Sequence, residues 1–328
     1  MRNAYLHSTG SSLPQRVVPN AYFNELLGED VDTWLQENLT IRERRWLSEG
    51  ESVADLCESA AQQALHYGGI RADEIDLLII ATDTPEFISP STASIVQHRC
   101  GMTRAGTFDV NTACAGFVTA LDIATKYIRS DEHYNTVMII GAYGMSRYLD
   151  MHDKKTVTLF ADGAGCAIVK STHDDRGYRA SMLETRGEYN EWMGIYTGAT
   201  KYPVTPERVA HGDHFLKFVK KFPKELNPDM WTRFIATLAD RAGITPQDIT
   251  HFFMTQININ SIHETLDRLS IPRERSYNIM HKYAYTGSAA IGIAFDEAVR
   301  EGKVQQGDVC CFIGSGGGLA FAGSLFTL

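Results

Sequence analysis

The chain has 328 residues, 44% hydrophobic and 22% charged, enough for one large or two medium domains with a sizeable core. Its 31 basic and 40 acidic side chains leave a net charge of −9, which repels phosphate backbones and argues against a nucleic-acid partner. No apolar run reaches the roughly 18 residues of a membrane-spanning helix, and the opening Met-Arg-Asn-Ala-Tyr-Leu-His does not read as a signal peptide, so a cytoplasmic protein with no membrane partner is expected.

Ser52-Val-Ala-Asp55 has a capping-box pattern and is followed by helix formers, which predicts a helix over 52–67. The apolar run Ile75–Thr82 predicts a strand buried on both faces. Small and apolar residues predict a buried helix over 115–128, and a further apolar strand follows at 137–141. Helices alternating with fully apolar strands define an α/β architecture with helix-covered sheets. Residues 185–230, rich in Tyr, Trp, Phe, Gly and Pro, have the character of an insertion that lines or covers a pocket.

An internal repeat organises these elements. Gly69-Ile70-Arg-Ala-Asp-Glu-Ile75 returns as Gly243-Ile244-Thr-Pro-Gln-Asp-Ile249, a shift of 174. The same shift lays Ala113-Cys114-Ala115-Gly116 over Gly287-Ser288-Ala289-Ala290. Val137-Met-Ile-Ile-Gly141 resembles Cys310-Cys-Phe-Ile-Gly314 at a shift of 173. Two related halves are expected, residues 1–172 and 173–328, packed about a pseudo-twofold axis with a cleft between them.

The six cysteines form no Cys-x-x-Cys pair and the eleven histidines form no ligand cluster, so neither disulfides nor a metal site is expected. Most of the cysteines read as small buried hydrophobes. Cys114, in Asp109-Val-Asn-Thr-Ala-Cys114-Ala-Gly-Phe117, lies between a strand and a helix. At a helix start the dipole lowers a thiol's pKa and favours the nucleophilic thiolate. The alternative is a packed cysteine among small residues at a helix contact. Near the C-terminus, Gly316-Gly317-Gly318 permits positive φ and exposes backbone N–H groups, as an oxyanion hole requires.

Together with Ile41-Arg42-Glu-Arg44-Arg45, Phe160-Ala-Asp162-Gly-Ala-Gly165, Gln256-x-Asn258 and Asp296-Glu-Ala-Val-Arg300, these pieces resemble the β-ketoacyl-acyl-carrier-protein synthase III family of the thiolase superfamily. The resemblance runs from about residue 3 to residue 328. It implies a homodimer of duplicated, five-layered αβαβα subunits with no resident cofactor. Cys114 would take an acyl group from a coenzyme A or acyl-carrier thioester, with the N–H groups of Cys114 and Gly317 holding the oxyanion. A His and an Asn would then assist decarboxylative condensation with a second substrate on acyl carrier protein.

Those two positions depart from the family pattern. Thr255 stands where the histidine belongs and Tyr285 where the asparagine belongs. Threonine is no base near neutral pH, and losing one such donor typically costs ~10²–10³ in rate. His281 and His251, four residues before Tyr285 and Thr255, are the nearest histidine substitutes. Asp83 falls about where related hydroxymethylglutaryl-CoA synthases carry a catalytic glutamate, without that enzyme's histidine beside it.

At the entrance, Trp34 matches the tryptophan that stacks on the CoA adenine, and Lys154 an arginine that meets its phosphates. Asn38 and Asn260 replace basic residues, whereas Lys217, Lys220 and Lys221 are candidates to restore charge. Ser89 matches a position that reaches the neighbouring subunit's acyl pocket, and Asn258 belongs to the substrate-binding set. The expected activity is an acyltransferase of a specialised pathway, drawing on acyl-CoA or acyl carrier protein, in which decarboxylative condensation is doubtful. A half-active partner subunit of a ketosynthase heteromer and a thioester hydrolase are the other readings.

Overall fold

The computed structural model describes residues 2–328, beginning with β1 (Asn3–Ser12), β2 (Arg16–Pro19), α1 (Asn20–Leu27), α2 (Asp32–Leu39), β3 (Glu43–Trp46) and α3 (Val53–Gly68). Next come β4 (Leu77–Ala81), α4 (Thr92–Arg99), β5 (Gly106–Val110), α5 (Gly116–Ser130), β6 (Thr136–Gly144), α6 (Lys154–Val157) and β7 (Asp162–Thr172). After β8 (Gly177–Thr185) come β9 (Met193–Gly194), α7 (Pro206–Ala210), β10 (Lys217–Phe218) and α8 (Leu226–Ala242). The chain closes with β11 (His251–Met254), α9 (Ile259–Arg268), α10 (Met280–Tyr283), α11 (Ala290–Arg300), β12 (Val309–Gly316) and β13 (Ala320–Thr327).

Local chemistry explains the long elements. The Ser52 N–H donates to Asp55 Oδ2 at 2.8 Å, which completes the capping box that starts α3. Gly69, at φ 60°, ends that helix in the left-handed region that suits glycine, as Gly243 does for α8 at φ 71°. Every residue of β4 is buried, as expected of a strand covered on both faces. It is shorter than its apolar run because Asp76 turns its carboxylate to the N–H groups of Asn135 and Thr136 instead.

Two sheets result. One has the order β1-β7-β6-β4-β5, with β4 parallel to β5 and β6 and with β7 antiparallel to its neighbours. The other has the order β11-β12-β13-β8, with one parallel pair, β11 and β12, followed by antiparallel ones. Short 3₁₀ turns at Ala113–Ala115 and Gly287–Ala289 lead into α5 and α11, at the shift of the sequence repeat. Both helices lie between the sheets, while α3 and α4 cover the first sheet and α8 the second. This is the expected five-layer αβαβα arrangement.

Arg44 belongs to the framework. It is fully buried and donates to Val18 O at 3.1 Å, Asn20 Oδ1 at 2.8 Å and Thr158 O at 2.7 Å, while its guanidinium lies over the Phe23 ring. Desolvation pulls its pKa down to about 9. Trp46 Nε1 donates to Phe160 O at 2.9 Å, so the segment at 158–161 is clamped from two sides. That segment fixes the Tyr285 backbone: Tyr285 N donates to Leu159 O and Ala161 N to Tyr285 O, both at 2.9 Å.

Candidate active site

Registers set the site. Ala81 of β4 pairs with Val110 of β5 and with Gly141 of β6, so β4 and β5 end level and β6 runs three residues further, to Gly144. Asp83, Cys114 and Tyr143 follow within a few residues of that line. Ligands of parallel α/β sheets favour this end. Gly287, at φ 50°, lets the second half's turn press on the Tyr143 ring, against which a Cβ would clash.

The nucleophile's loop is bent at Ala113, whose φ of 46° is strained for a residue with a Cβ. Gly316 packs on that bend. A Cβ there would lie 2.6 Å from Cys114 N and 2.8 Å from Ala115 N, both backbone atoms. Gly316→Ala is therefore expected to push the Cys114 loop aside. Acyl loading should fall at least about tenfold, a loss of 1.4 kcal/mol or more of transition-state stabilisation, while the circular dichroism stays folded. Loading kinetics by intact mass check this.

Cys114 is only 3% exposed and lines a cavity of about 590 Å³. Leu39, Leu159, Met193, Phe218 and Phe222 give it apolar walls, and Trp34, 55% exposed, stands at the mouth. Gly317, Tyr285 and Asn258 line the same space. Met193, Phe218 and Phe222 come from residues 185–230, a stretch whose two ends belong to β8 and α8.

The thiol's electrostatics differ from the sequence expectation. Burial, then the charge of Asp83, push the Cys114 pKa up, and hydrogen bonds from the Tyr285 hydroxyl and the Cys114 backbone N–H oppose them. The helix start does not prevail because α5 begins at Gly116 and Cys114 occupies the 3₁₀ turn ahead of it. Tyr285 is itself buried, its pKa pushed well up by burial and by Cys114, so its O–H stays protonated as a donor.

The remaining candidates separate. Thr255 does not line the cavity: its hydroxyl accepts from Ser315 N at 2.8 Å and donates to Ser315 O at 3.3 Å. Lys154 borders an adjoining groove of about 470 Å³ that shares Trp34 and Leu159, and pairs with Glu29 at 2.9 Å. Ser89 lies on an exposed loop. His251 pairs with Asp308 at 3.1 Å at the start of β11, roughly four strand residues or 13 Å from Thr255. His281 is half-buried outside the cavity, its pKa lowered by burial and then by Lys282 and Arg42.

Lys217 is paired with Asp213 and Lys220 lies over Trp192, so of the three lysines only Lys221 borders the cavity, joined there by Lys224. Asn260 Nδ2 donates to Asn38 O at 3.0 Å, and Asn38 Nδ2 donates to Trp34 O at 2.9 Å, which ties the mouth together. Sequence reading did not single out Tyr143. The repeat shift of 173 that matches Gly141 to Gly314 also matches Tyr143 to Gly316, and so carries the signal. Among the described residues no cluster of metal-ligating side chains occurs.

A duplicated five-layer fold with a cysteine turn leading into its central helix defines a thiolase-like protein. The description 3-oxoacyl-[acyl-carrier-protein] synthase III matches residues 108–187, and that of its C-terminal part matches residues 239–328. The β-ketoacyl-[acyl-carrier-protein] synthase III of Clostridium perfringens is 34% identical over 335 aligned positions, covering 100% of both chains. The crystal structure of the Aquifex aeolicus 3-oxoacyl-[acyl-carrier-protein] synthase III superposes with a TM-score of 0.89 at 29% identity, covering 99% of this chain and 100% of that one. The priming β-ketosynthase of the R1128 polyketide biosynthetic pathway gives a TM-score of 0.88 at 26% identity, covering 100% and 96%. The chain belongs to the 3-oxoacyl-acyl-carrier-protein synthase III family.

Proposed function

We propose that the chain is an acyltransferase of a specialised pathway that loads Cys114 from an acyl-CoA or acyl-carrier thioester and passes the acyl group to an acceptor. The carrying observation is the buried Cys114, which shares with Tyr285 and Gly317 an apolar cavity whose mouth is Trp34. The Cys114 sulfur attacks the thioester carbon as its thiol proton is given up, the carbon–sulfur bond to CoA breaks and the CoA sulfur leaves as the thiol with that proton, and the N–H groups of Cys114 and Gly317 hold the oxyanion. Trp34 and Lys154 take the nucleotide end of CoA, in the outer groove they share. Lys221 and Lys224 at the mouth suit an acidic carrier protein or CoA phosphates.

Decarboxylative condensation has little support, because Thr255 spends its hydroxyl on Ser315 outside the cavity and the buried phenol of Tyr285 stands in place of an asparagine amide. The similar polyketide priming ketosynthase supports a role outside housekeeping lipid synthesis. Phe87 and Ile88, 55% and 81% exposed beside Ser89, support a homodimer that covers this loop. Intact-mass measurement after incubation with a panel of acyl-CoAs is the test. A stable adduct supports the transferase, turnover without an acceptor supports the hydrolase, and no adduct supports a partner subunit.

A further inference from the structure

Three consecutive residues near the end of β6 grip the turn that follows Tyr285. A Cβ on Gly141 would strike Ser288 O, and Ser288 Oγ donates to Ala142 O at 2.6 Å. The third residue, Tyr143, is fully buried, and its ring fills the space that a side chain on Gly287 would need. A Cβ there would lie 2.6 Å from Tyr143 Cδ2 and closer still to Cε2 and Cζ. Tyr143 has no part in the chemistry above and does not line the Cys114 cavity.

Tyr285, two residues before Gly287, does line that cavity, and like Cys114 it is buried, away from the exposed Trp34. Its backbone is fixed by the hydrogen bonds with Leu159 and Ala161, which leaves the placing of its ring to packing. The Phe160 ring lies 5.5 Å from that of Tyr285, 6.2 Å from that of Phe218 and 6.3 Å from that of Tyr143. Tyr285 and Phe218 face the cavity, whereas Phe160 and Tyr143 stand behind them. Tyr143 therefore backs Tyr285 by two routes, through Phe160 and through the Gly287 turn. Protein interiors are close-packed, so a void behind such a wall draws the wall back into it.

We propose that Tyr143 is a positioning residue that sets substrate specificity: by backing Tyr285 it limits the length of the acyl group that Cys114 accepts. This rests on the acyl-enzyme reading above. An acyl chain on the Cys114 sulfur starts in the cavity that Tyr285 bounds, and the depth to which the Tyr285 ring stands in that cavity decides how many methylene groups fit. In an apolar site each methylene is worth about tenfold or more in rate, so a small retreat of the ring changes which thioesters load. The Tyr143 ring acts by its volume. The role passes through Tyr285, not through contact between Tyr143 and the substrate.

The test is the rate of Cys114 loading, followed by intact mass, across straight-chain acyl-CoAs from acetyl to dodecanoyl. Wild type should show an upper chain length beyond which loading drops. In Tyr143→Ala the first rejected chain should gain at least about tenfold relative to acetyl, a ratio that a general loss of activity leaves unchanged. Tyr143→Phe, which keeps the ring, should retain the wild-type ratio. Tyr285→Ala should itself admit longer chains, and adding Tyr143→Ala to it should shift the ratio little further, because both changes remove one wall. Tyr143→Leu, which keeps a buried hydrocarbon, should give a smaller shift in the same direction and serves if the alanine variant does not fold. An unchanged ratio in a folded Tyr143→Ala or Tyr143→Leu overturns the proposal while the acyl-enzyme stands. So does a full further shift in the Tyr285→Ala background, or a wild type that loads every chain equally well. If no acyl-CoA loads the wild-type protein, both readings fall together.

Discussion

Cys114→Ala is expected to abolish acyl loading, at least about a 10³-fold loss, with the fold retained. Peptide mapping of the wild-type adduct should find the acyl group on Cys114 alone. Of the six cysteines only Cys114 lines the large cavity; Cys310 and Cys311 are buried in β12, and Cys57 and Cys166 pack between α3 and its sheet. Cys100 is half-buried at the end of α4, and burial, then Glu58, push its thiol up to about 11, so it stays protonated and slow. The substitution removes a single sulfur from a site bordering a cavity, so its stability cost should stay near ~1 kcal/mol. Thermal unfolding alongside mass spectrometry checks both halves. An adduct at Cys310 or Cys311, or undiminished loading of Cys114→Ala, would overturn the site assignment.

The thiol illustrates what the sequence can and cannot carry. Its place between β5 and α5 is a local property, and Ala113, Ala115, Gly116 and the remote Gly316 announce a tight turn approached by another backbone. Its pKa is not local. Burial comes from side chains throughout both halves, and Asp83 and Tyr285 reach it only through the packing of strands far apart in sequence. The same holds for Thr255, whose hydroxyl is captured by Ser315, 60 residues later, through the pairing of β11 with β12. The lysines of the insertion follow this rule too: Lys217 finds Asp213 and Lys220 finds Trp192, partners that composition does not reveal. Caps, two-sided strands and the repeat were legible because each depends on neighbours or on a constant shift.

The wild-type protein should load acyl groups yet decarboxylate malonyl thioesters poorly, and Thr255→His with Tyr285→Asn should reverse much of that deficit. Loading needs only a nucleophile and a backbone oxyanion hole, the roles proposed for the Cys114 thiol and for the N–H groups of Cys114 and Gly317. Enolate formation needs two further donors on a second carbonyl oxygen; Thr255 has its hydroxyl taken by Ser315, and Tyr285 offers a bulkier phenol where the amide donor belongs. Each donor is worth ~10²–10³ in rate at such a site, so the pair together should raise malonyl decarboxylation by about 10² or more. Because both act on one oxygen, either change alone should give much less than half of the combined gain in log rate. Two costs set the upper limit. Thr255→His leaves Ser315 N without its acceptor, roughly 1–3 kcal/mol for a buried donor, and Tyr285→Asn opens a void beside Phe160, whose ring lies 5.5 Å from that of Tyr285. The double variant should therefore melt lower than wild type while decarboxylating faster, and release of carbon dioxide from malonyl thioester measures the gain directly. Efficient β-ketoacyl formation by the unmodified protein would sink this reading, since it would require Tyr285 or His281 to supply the donor that the family's histidine and asparagine provide.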